Sequence, residues 1–195
     1  AFLHPGPLPR EDRVTPREWA AAGLKLAGGA VLFWGSHRLV REEMLLGWLG
    51  MAGLILMLHF GAFHLLSCAW RAVGVDARPP MDHPSRSRSV SEFWGRRWNT
   101  AFRDLTHRFL FRPLSERLWP RAAILAGFLA SGLVHDLVIS VPAGGGYGWP
   151  TAYFLVQAAA LLLERSRAGR AIGLGRGVRG RLFTLSVVVL PACGL

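Results

Sequence analysis

The feature that most constrains this chain is a block of 26 residues, 45–70, that contains no formally charged side chain. About 20 apolar residues in a helix are enough to cross the hydrocarbon core of a bilayer. A second run, residues 122–141, is uncharged except at His135 and Asp136. Uninterrupted apolar runs of this length predict membrane-spanning helices rather than the core of a soluble domain.

Three weaker apolar segments accompany these two runs. Residues 19–34 are interrupted by Lys25, residues 149–163 are short, and residues 182–195 are short and contain Pro191. Together the five segments predict an all-α polytopic membrane protein with about five transmembrane helices, forming a single membrane domain over residues 1–195. The chain starts with Ala1 and stops just after an apolar run, so we expect a truncated or short member of a larger fold.

The charge is concentrated between the apolar segments. The formal net charge is +11, and arginine supplies nearly all of the positive charge because Lys25 is the sole lysine. The chain has no lysine-rich arm and no nucleic-acid motif, so we expect no nucleic-acid partner. Eleven arginines lie in residues 71–121 and six in residues 165–181, whereas residues 142–148 are uncharged. The positive-inside rule makes both arginine-rich loops cytoplasmic, and we expect an integral protein of a bacterial inner membrane.

The segment 90–119 mixes aromatic side chains with arginines. Its apolar side chains recur at spacings of three and four: Phe93, Trp94, Trp98, Phe102, Leu105 and Phe109. This spacing predicts an amphipathic helix opposed by Arg96 and Arg103, lying in the membrane interface. Such a helix could serve only to anchor the chain at the membrane surface, with no catalytic role.

His135 and Asp136 lie deep in the second apolar run, roughly 20 Å from its start at 1.5 Å per residue. An ionisable group at this depth costs on the order of 2.5–3.5 kcal/mol and usually marks a functional cavity. A neutral histidine that bonds a neighbouring helix is the alternative. Gly127 and Gly132 predict close helix packing, with Ser131 one turn before His135. Asp136 points elsewhere and would cap a helix or pair with an arginine.

Other histidines and glycines offer weaker candidates. His59 and His64 are five residues apart, which does not place them on one helical face, and neighbouring glycines favour packing. Haem ligation would need histidines paired at equal depth on two helices, and His59, His64 and His135 do not form such pairs. The glycine-rich residues 173–180 do not follow a strand, so they do not predict a dinucleotide site.

Two motifs carry a family resemblance. Residues 91–99 read Ser-Glu-Phe-Trp-Gly-Arg-Arg-Trp-Asn, and residues 131–136 read Ser-Gly-Leu-Val-His-Asp. Together they resemble the wax synthase branch of the membrane-bound O-acyltransferases, in which an aromatic segment ending in Trp-Asn precedes a buried histidine. Here 36 residues separate Asn99 from His135. The resemblance covers residues 45–165, although family members usually have more spans.

The resemblance implies an enzyme that transfers a fatty acyl group from acyl-CoA to the hydroxyl of a hydrophobic alcohol, making a wax ester or related lipid ester. His135 is the expected general base, and Asn99 is expected to stabilise the oxyanion or to orient substrate. Five side chains are candidates for acyl-CoA binding: Arg96, Arg97, Arg103, Trp94 and Trp98. Each arginine has the alternative role of contacting lipid headgroups.

No metal and no bound cofactor are implied, since acyl-CoA is a co-substrate. The expected partners are membrane lipid, acyl-CoA and a hydrophobic alcohol, which the sequence leaves open between a long-chain alcohol, a diacylglycerol and a sterol. The alternative function is a non-catalytic membrane protein or a truncated pseudoenzyme of the same family.

Overall fold

A computed structural model describes residues 14–193, which are helical with no β-strand among them. The main helices are α1 (Pro16–Leu39), α2 (Glu43–Ala72), α3 (Thr100–Thr106), α4 (Pro120–Ala143), α5 (Trp149–Arg165), α6 (Arg167–Ala171) and α7 (Gly177–Cys193). Helix α2 contains the π-helical turn Leu56–Ala62, and α4 contains the π-helical turn Asp136–Ser140. The predicted all-α class is therefore confirmed.

Shorter helical pieces join these helices. A 3₁₀ turn, Pro84–Arg86, precedes the α-helical turn Val90–Glu92, which continues as the π-helix Phe93–Arg97. Helix α3 continues through the π-helix His107–Phe111 into the α-helix Arg112–Ser115.

Every predicted apolar segment lies in a helix, apart from residues 194–195, which fall outside the described part of the chain. Two of the described helices are long and apolar enough to cross a membrane: α2 with 30 residues and α4 with 24. Helices α5 and α7 have 17 residues each, fewer than the roughly 20 that a span needs. The count of five spans therefore stays a prediction.

The single amphipathic helix predicted over residues 90–119 is wrong, because the chain breaks inside it. Trp98 is extended and Asn99 has a φ of +42°, in the left-handed region that ends helical propagation. The apolar stripe is divided as a result. Phe93 is buried, whereas Leu105 and Phe109 are exposed.

The described chain divides into two compact units, Ala1–Asp82 and His83–Leu195. In the first unit, α1 and α2 pack closely because glycines lie at the contact. A Cβ atom on Gly53 would lie 2.7 Å from the Phe33 nitrogen, and one on Gly61 would lie 2.6 Å from the Leu26 Cα. The predicted packing role of the glycine beside His59 and His64 is confirmed at Gly61.

The first unit also holds a polar network centred on Glu18. The Glu18 carboxylate accepts hydrogen bonds from the Arg71 guanidinium and from His64 Nε2, at 3.1 Å for the histidine. Partial burial raises the pKa of Glu18, but Arg71 and His64 outweigh that effect and hold the pKa below its usual value. His64 thus has a structural hydrogen-bonding role in this network, with its other ring nitrogen, Nδ1, 3.5 Å from Lys25 Nζ.

Glu18, His64 and Cys68 also place one potential metal-ligand atom each within 4.8 Å of one another. The Arg71 guanidinium donates to Glu18 and lies 3.8 Å from the Cys68 sulfur. The Glu18 carboxylate of this cluster is therefore already paired with a guanidinium.

Helix α5 is the centre of the second unit. It packs against α4, α6, α7 and the start of the helical turn Val90–Glu92. The buried apolar side chains of this core are Val90, Ile124, Ala158, Ala160 and Leu161. Helix α5 therefore positions the side chains on the face of α4 that packs against it.

The contact between α4 and α5 depends on Gly132. A Cβ atom there would lie 2.6 Å from the Thr151 Cα, so only glycine allows this approach. At Gly127, which the sequence also placed at a close contact, a Cβ would meet no described atom within 4 Å. The prediction is confirmed for Gly132 and wrong for Gly127.

We expect Gly132→Ala to destabilise the protein by about 1–3 kcal/mol, because the added methyl group overlaps backbone that cannot move alone. Gly127→Ala is the matched control on the same helix, and it should be neutral or stabilising because alanine favours helix over glycine. Thermal unfolding of the detergent-solubilised protein measures both. Equal melting temperatures for the two variants would contradict this account of the contact.

Candidate active site

His135 lies at the point where the α-helical part of α4 passes into its π-helical turn. Its Nδ1 atom is 2.7 Å from the carbonyl oxygen of Ser131, one turn earlier. A carbonyl can only accept, so the hydrogen bond assigns the proton to Nδ1. In the neutral ring Nε2 then carries a lone pair, which is the form a general base needs.

Two phenylalanine rings form the immediate surroundings of His135. The ring of Phe154, on α5, has its centroid 4.5 Å from that of the imidazole. The ring of Phe102, on α3, lies edge-on at 6.4 Å. Phe154 is buried and His135 is half-buried, so the imidazole lies between apolar walls and remains partly accessible.

Asp136 caps the next helix, which decides between the two roles that the sequence left open for it. Its carboxylate accepts hydrogen bonds from the Gly148 nitrogen at 2.8 Å and from the Thr151 nitrogen at 3.2 Å, at the start of α5. The hydroxyls of Thr151 and Ser140 donate to it as well. The carboxylate next to His135 therefore holds α4 to the N-terminus of α5.

A π-helical turn follows His135, and the adjacent residues His135 and Asp136 contact different residues of the second unit. A π-helix has more residues per turn than an α-helix, and single π turns are frequent at functional sites. Here the turn begins at Asp136, directly after His135. The His135 imidazole lies against Phe154 of α5, whereas the Asp136 carboxylate bonds the Gly148 nitrogen at the N-terminus of α5.

Asn99 is the N-cap of α3. Its side-chain oxygen accepts a hydrogen bond from the Phe102 nitrogen at 3.2 Å, and its backbone is left-handed. Asparagine tolerates this conformation better than most residues, and it is a favoured N-cap. Phe102 therefore contacts both residues: its backbone N–H bonds the Asn99 side chain, and its ring lies edge-on to the His135 ring.

Trp94 and Trp98 lie in an aromatic cluster. The Trp94 indole nitrogen donates to the Gln157 side-chain oxygen at 3.3 Å, and its ring lies 5.6 Å from that of Phe154. Trp98 stacks on Phe93 with ring centroids 5.4 Å apart. Trp94 therefore shares Phe154 with His135, and both tryptophans are half-buried.

Of the three candidate arginines, two are held by acidic side chains. Arg97 Nε donates to Glu92 at 2.6 Å, and Arg103 Nε donates to Asp104 at 2.6 Å. Partial burial raises the pKa of Glu92, but the Arg88 backbone N–H and the Arg97 guanidinium outweigh it and lower that pKa. Arg96 is exposed.

The comparison with protein families gives a match where these residues lie. Residues 77–156 match the model of the membrane bound O-acyl transferase family, a stretch that includes both Asn99 and His135. Over these residues, about two fifths of the chain, it is similar to this family.

Individual members of the family give the same result. A long-chain-alcohol O-fatty-acyltransferase of Simmondsia chinensis is 28% identical over 60% of this chain and 37% of its own length. Probable long-chain-alcohol O-fatty-acyltransferases 9 and 1 of Arabidopsis thaliana are 33% and 31% identical, over 34% and 47% of this chain and 22% and 30% of their own lengths. The aligned region thus spans less than two fifths of each relative. No solved structure matches the chain significantly.

The sequence did not predict a role for two buried polar residues, Gln157 and Glu164. Both lie beyond the stretch that matches the O-acyltransferase family. Gln157 is fully buried and donates from Nε2 to the Val187 carbonyl at 2.8 Å while accepting from Trp94. Glu164 is 6% exposed, and its carboxylate accepts from the Val90 nitrogen at 2.5 Å. Both tie the segment that carries Trp94 to α5. An amide inside an otherwise apolar helix was the available signal, because a buried amide needs partners.

Proposed function

We propose that this chain forms the catalytic part of an enzyme that transfers a fatty acyl group from acyl-CoA to the hydroxyl of a hydrophobic alcohol, giving a wax ester or related lipid ester. The observation that carries the proposal is the position of the His135 imidazole between Phe102 and Phe154, with Nδ1 2.7 Å from the Ser131 carbonyl oxygen. The relatives' designation as long-chain-alcohol O-fatty-acyltransferases supports a long-chain alcohol as acceptor.

The reaction begins when His135 Nε2 takes the proton of the alcohol hydroxyl. The alcohol oxygen then attacks the thioester carbonyl carbon, forming the new C–O bond. The C–S bond breaks as the tetrahedral intermediate collapses, and the imidazolium returns its proton to the departing thiolate. Atoms and charges balance with no metal and no bound cofactor, and a positioned base contributes about 10²–10⁴-fold to such a step.

Asn99 is proposed to stabilise the oxyanion. Its side-chain oxygen caps α3, which holds the side chain in one orientation, and an amide N–H group is a suitable donor for an oxyanion. A donor fixed by a helix cap is preorganised, which is what oxyanion stabilisation requires.

The candidate acyl-CoA-binding arginines differ in how readily their guanidinium groups could bind a phosphate. Arg96 is exposed, whereas Arg97 and Arg103 would have to exchange Glu92 and Asp104 for a phosphate. Trp94, which lies beside Phe154, and Trp98, which stacks on Phe93, are proposed to line the acyl chain. Arginine forks suit phosphate oxygens, so Arg96 is the strongest candidate of the three.

A membrane location follows from the exposed apolar surface of the two long helices. In the most apolar windows of α2 and α4, 11% and 22% of the residues are buried. The core helix of a soluble protein would be mostly buried. Helix α4 exposes the large side chains Leu125, Leu129, Leu133, Val134, Leu137, Val138 and Ile139. Lipid is the proposed neighbour of these side chains.

Single cysteines test the proposed topology. We expect cysteines placed in residues 142–148 to react with an impermeant reagent from outside intact cells. A cysteine near Arg170 should react only after permeabilisation, because arginine-rich loops remain cytoplasmic. The reverse labelling pattern would contradict this topology while leaving the proposed chemistry untouched.

An assay with several acceptors tests the proposed function. Membranes from cells that express the full gene would be given labelled palmitoyl-CoA with hexadecanol, a diacylglycerol or a sterol, and products identified by mass spectrometry. We expect the hexadecanol ester. Formation of no ester with any acceptor, in membranes that contain folded protein, would favour the non-catalytic alternative.

A further inference from the structure

A basic cleft lies on the second unit at the end of α5. It encloses about 210 Å³ and is lined by Glu164, Arg165, Arg170, Gly173, Gly175 and Arg176. All six residues lie beyond the stretch that matches the family model, which ends at residue 156. The mechanism proposed above uses none of these six residues.

The three arginines of the cleft have no acidic partner among the described residues. Arg165, Arg170 and Arg176 are exposed, and none of them forms an ion pair with an acidic side chain within residues 14–193. Arg97 and Arg103, in contrast, are each paired with a carboxylate. The cleft therefore gathers positive charge that the described residues do not neutralise.

Glu164 does not neutralise this charge directly, because its carboxylate is directed to the backbone. Its two oxygens accept from the Val90 and Ser91 nitrogens, at 2.5 and 3.4 Å. Gly175 covers the side chain, since a Cβ there would lie 3.4 Å from Glu164 Cγ. With three guanidinium groups and one carboxylate, the lining carries a formal charge of 3 − 1 = +2.

We propose that this cleft binds a phosphate group, carried either by a nucleotide-containing thioester donor or by an anionic phospholipid headgroup. Guanidinium groups present paired N–H donors that match phosphate oxygens, and a charge of +2 complements a phosphate dianion. The donor alternative rests on the proposed function, whereas the headgroup alternative does not.

The cleft is connected to the segment that carries Asn99. Arg165 Nε donates to the Ser91 hydroxyl at 3.2 Å, and Glu164 caps the same turn. A phosphate held by Arg165 would therefore lie next to the first residue of the aromatic segment, which places the rest of a donor molecule within reach of that segment.

Charge-matched variants test the cleft. The triple variant Arg165→Gln, Arg170→Gln, Arg176→Gln removes its charge. The control, Arg167→Gln with Arg179→Gln and Arg181→Gln, removes three exposed arginines from the same region that do not line the cleft. The first measurement is calorimetric binding of coenzyme A and of pantetheine, which lacks phosphate, to the purified full chain. The second is flotation with phosphatidylglycerol or phosphatidylcholine vesicles.

We expect the triple variant to lose about tenfold or more in affinity for a phosphate-bearing probe, and the control to lose much less. Weakened coenzyme A binding, with pantetheine unaffected, identifies the donor as the source of the phosphate. Weakened flotation with phosphatidylglycerol alone identifies the headgroup. Triple-variant binding equal to that of the control, for both coenzyme A and phosphatidylglycerol, would overturn the proposal. Because these readouts measure binding, they are independent of whether the protein transfers acyl groups.

Discussion

Replacing His135 with glutamine is expected to lower kcat for ester formation by about 10²–10⁴, the usual contribution of a general base. Glutamine keeps the polarity and approximate size of histidine but has no basic nitrogen. His135→Ala should abolish ester formation while the protein still inserts and accumulates. The measurement is the initial rate of ester formation per amount of folded protein in membranes.

His59→Gln is the matched control for His135, since His59 also lies in an apolar helix, within a π-helical turn, beside an aromatic ring. It carries neither family motif, so its effect should be milder. Substantial activity in a well-folded His135→Gln protein would refute the proposed mechanism. In that case His135 would be a structural histidine that secures the turn at Ser131.

Asn99→Asp is expected to lower kcat by about 10²–10³, the typical loss for one oxyanion donor. Aspartate accepts the same N-cap hydrogen bond and tolerates left-handed backbone, but it has no amide N–H to donate. Asn99→Gly tests the same donor without adding charge, and loss of the cap to glycine costs only a few tenths of a kcal/mol. Both variants should therefore fold and show similarly low kcat.

Asn99→Ala is the comparison that separates folding from chemistry. Alanine loses the cap and is strained at a φ of +42°, so it should lower the melting temperature as well as kcat. Normal kcat with raised KM in Asn99→Asp and Asn99→Gly would instead make Asn99 a residue that positions substrate.

The helices and the central histidine could be predicted because they depend on local sequence. The uncharged run of α2 and the run that becomes α4 set helix length directly, and a histidine within α4 stands out by its cost in an apolar setting. Asp136 was restricted to two roles by its angular position, and the partners on α5 decided between them.

The break at Asn99 could not be predicted from periodicity, which continues unchanged through Trp98 and Phe102. It depends on one residue adopting left-handed backbone and capping the following helix. Gly127 and Gly132 likewise look equivalent in sequence, and only the position of α5 shows which one is in contact. Gln157 acquires its role from Trp94 and Val187, which are distant in sequence.

The most direct test of acyl transfer to an alcohol measures thiol release and ester formation in the same reaction. Membranes containing the full protein would receive palmitoyl-CoA with or without hexadecanol, and both products would be counted against time. The proposed mechanism predicts that free thiol and wax ester appear in a one-to-one ratio, that both depend on the alcohol, and that both are lost in His135→Gln. Thiol release that needs no alcohol and yields free fatty acid, at the same rate in His135→Gln, would contradict it.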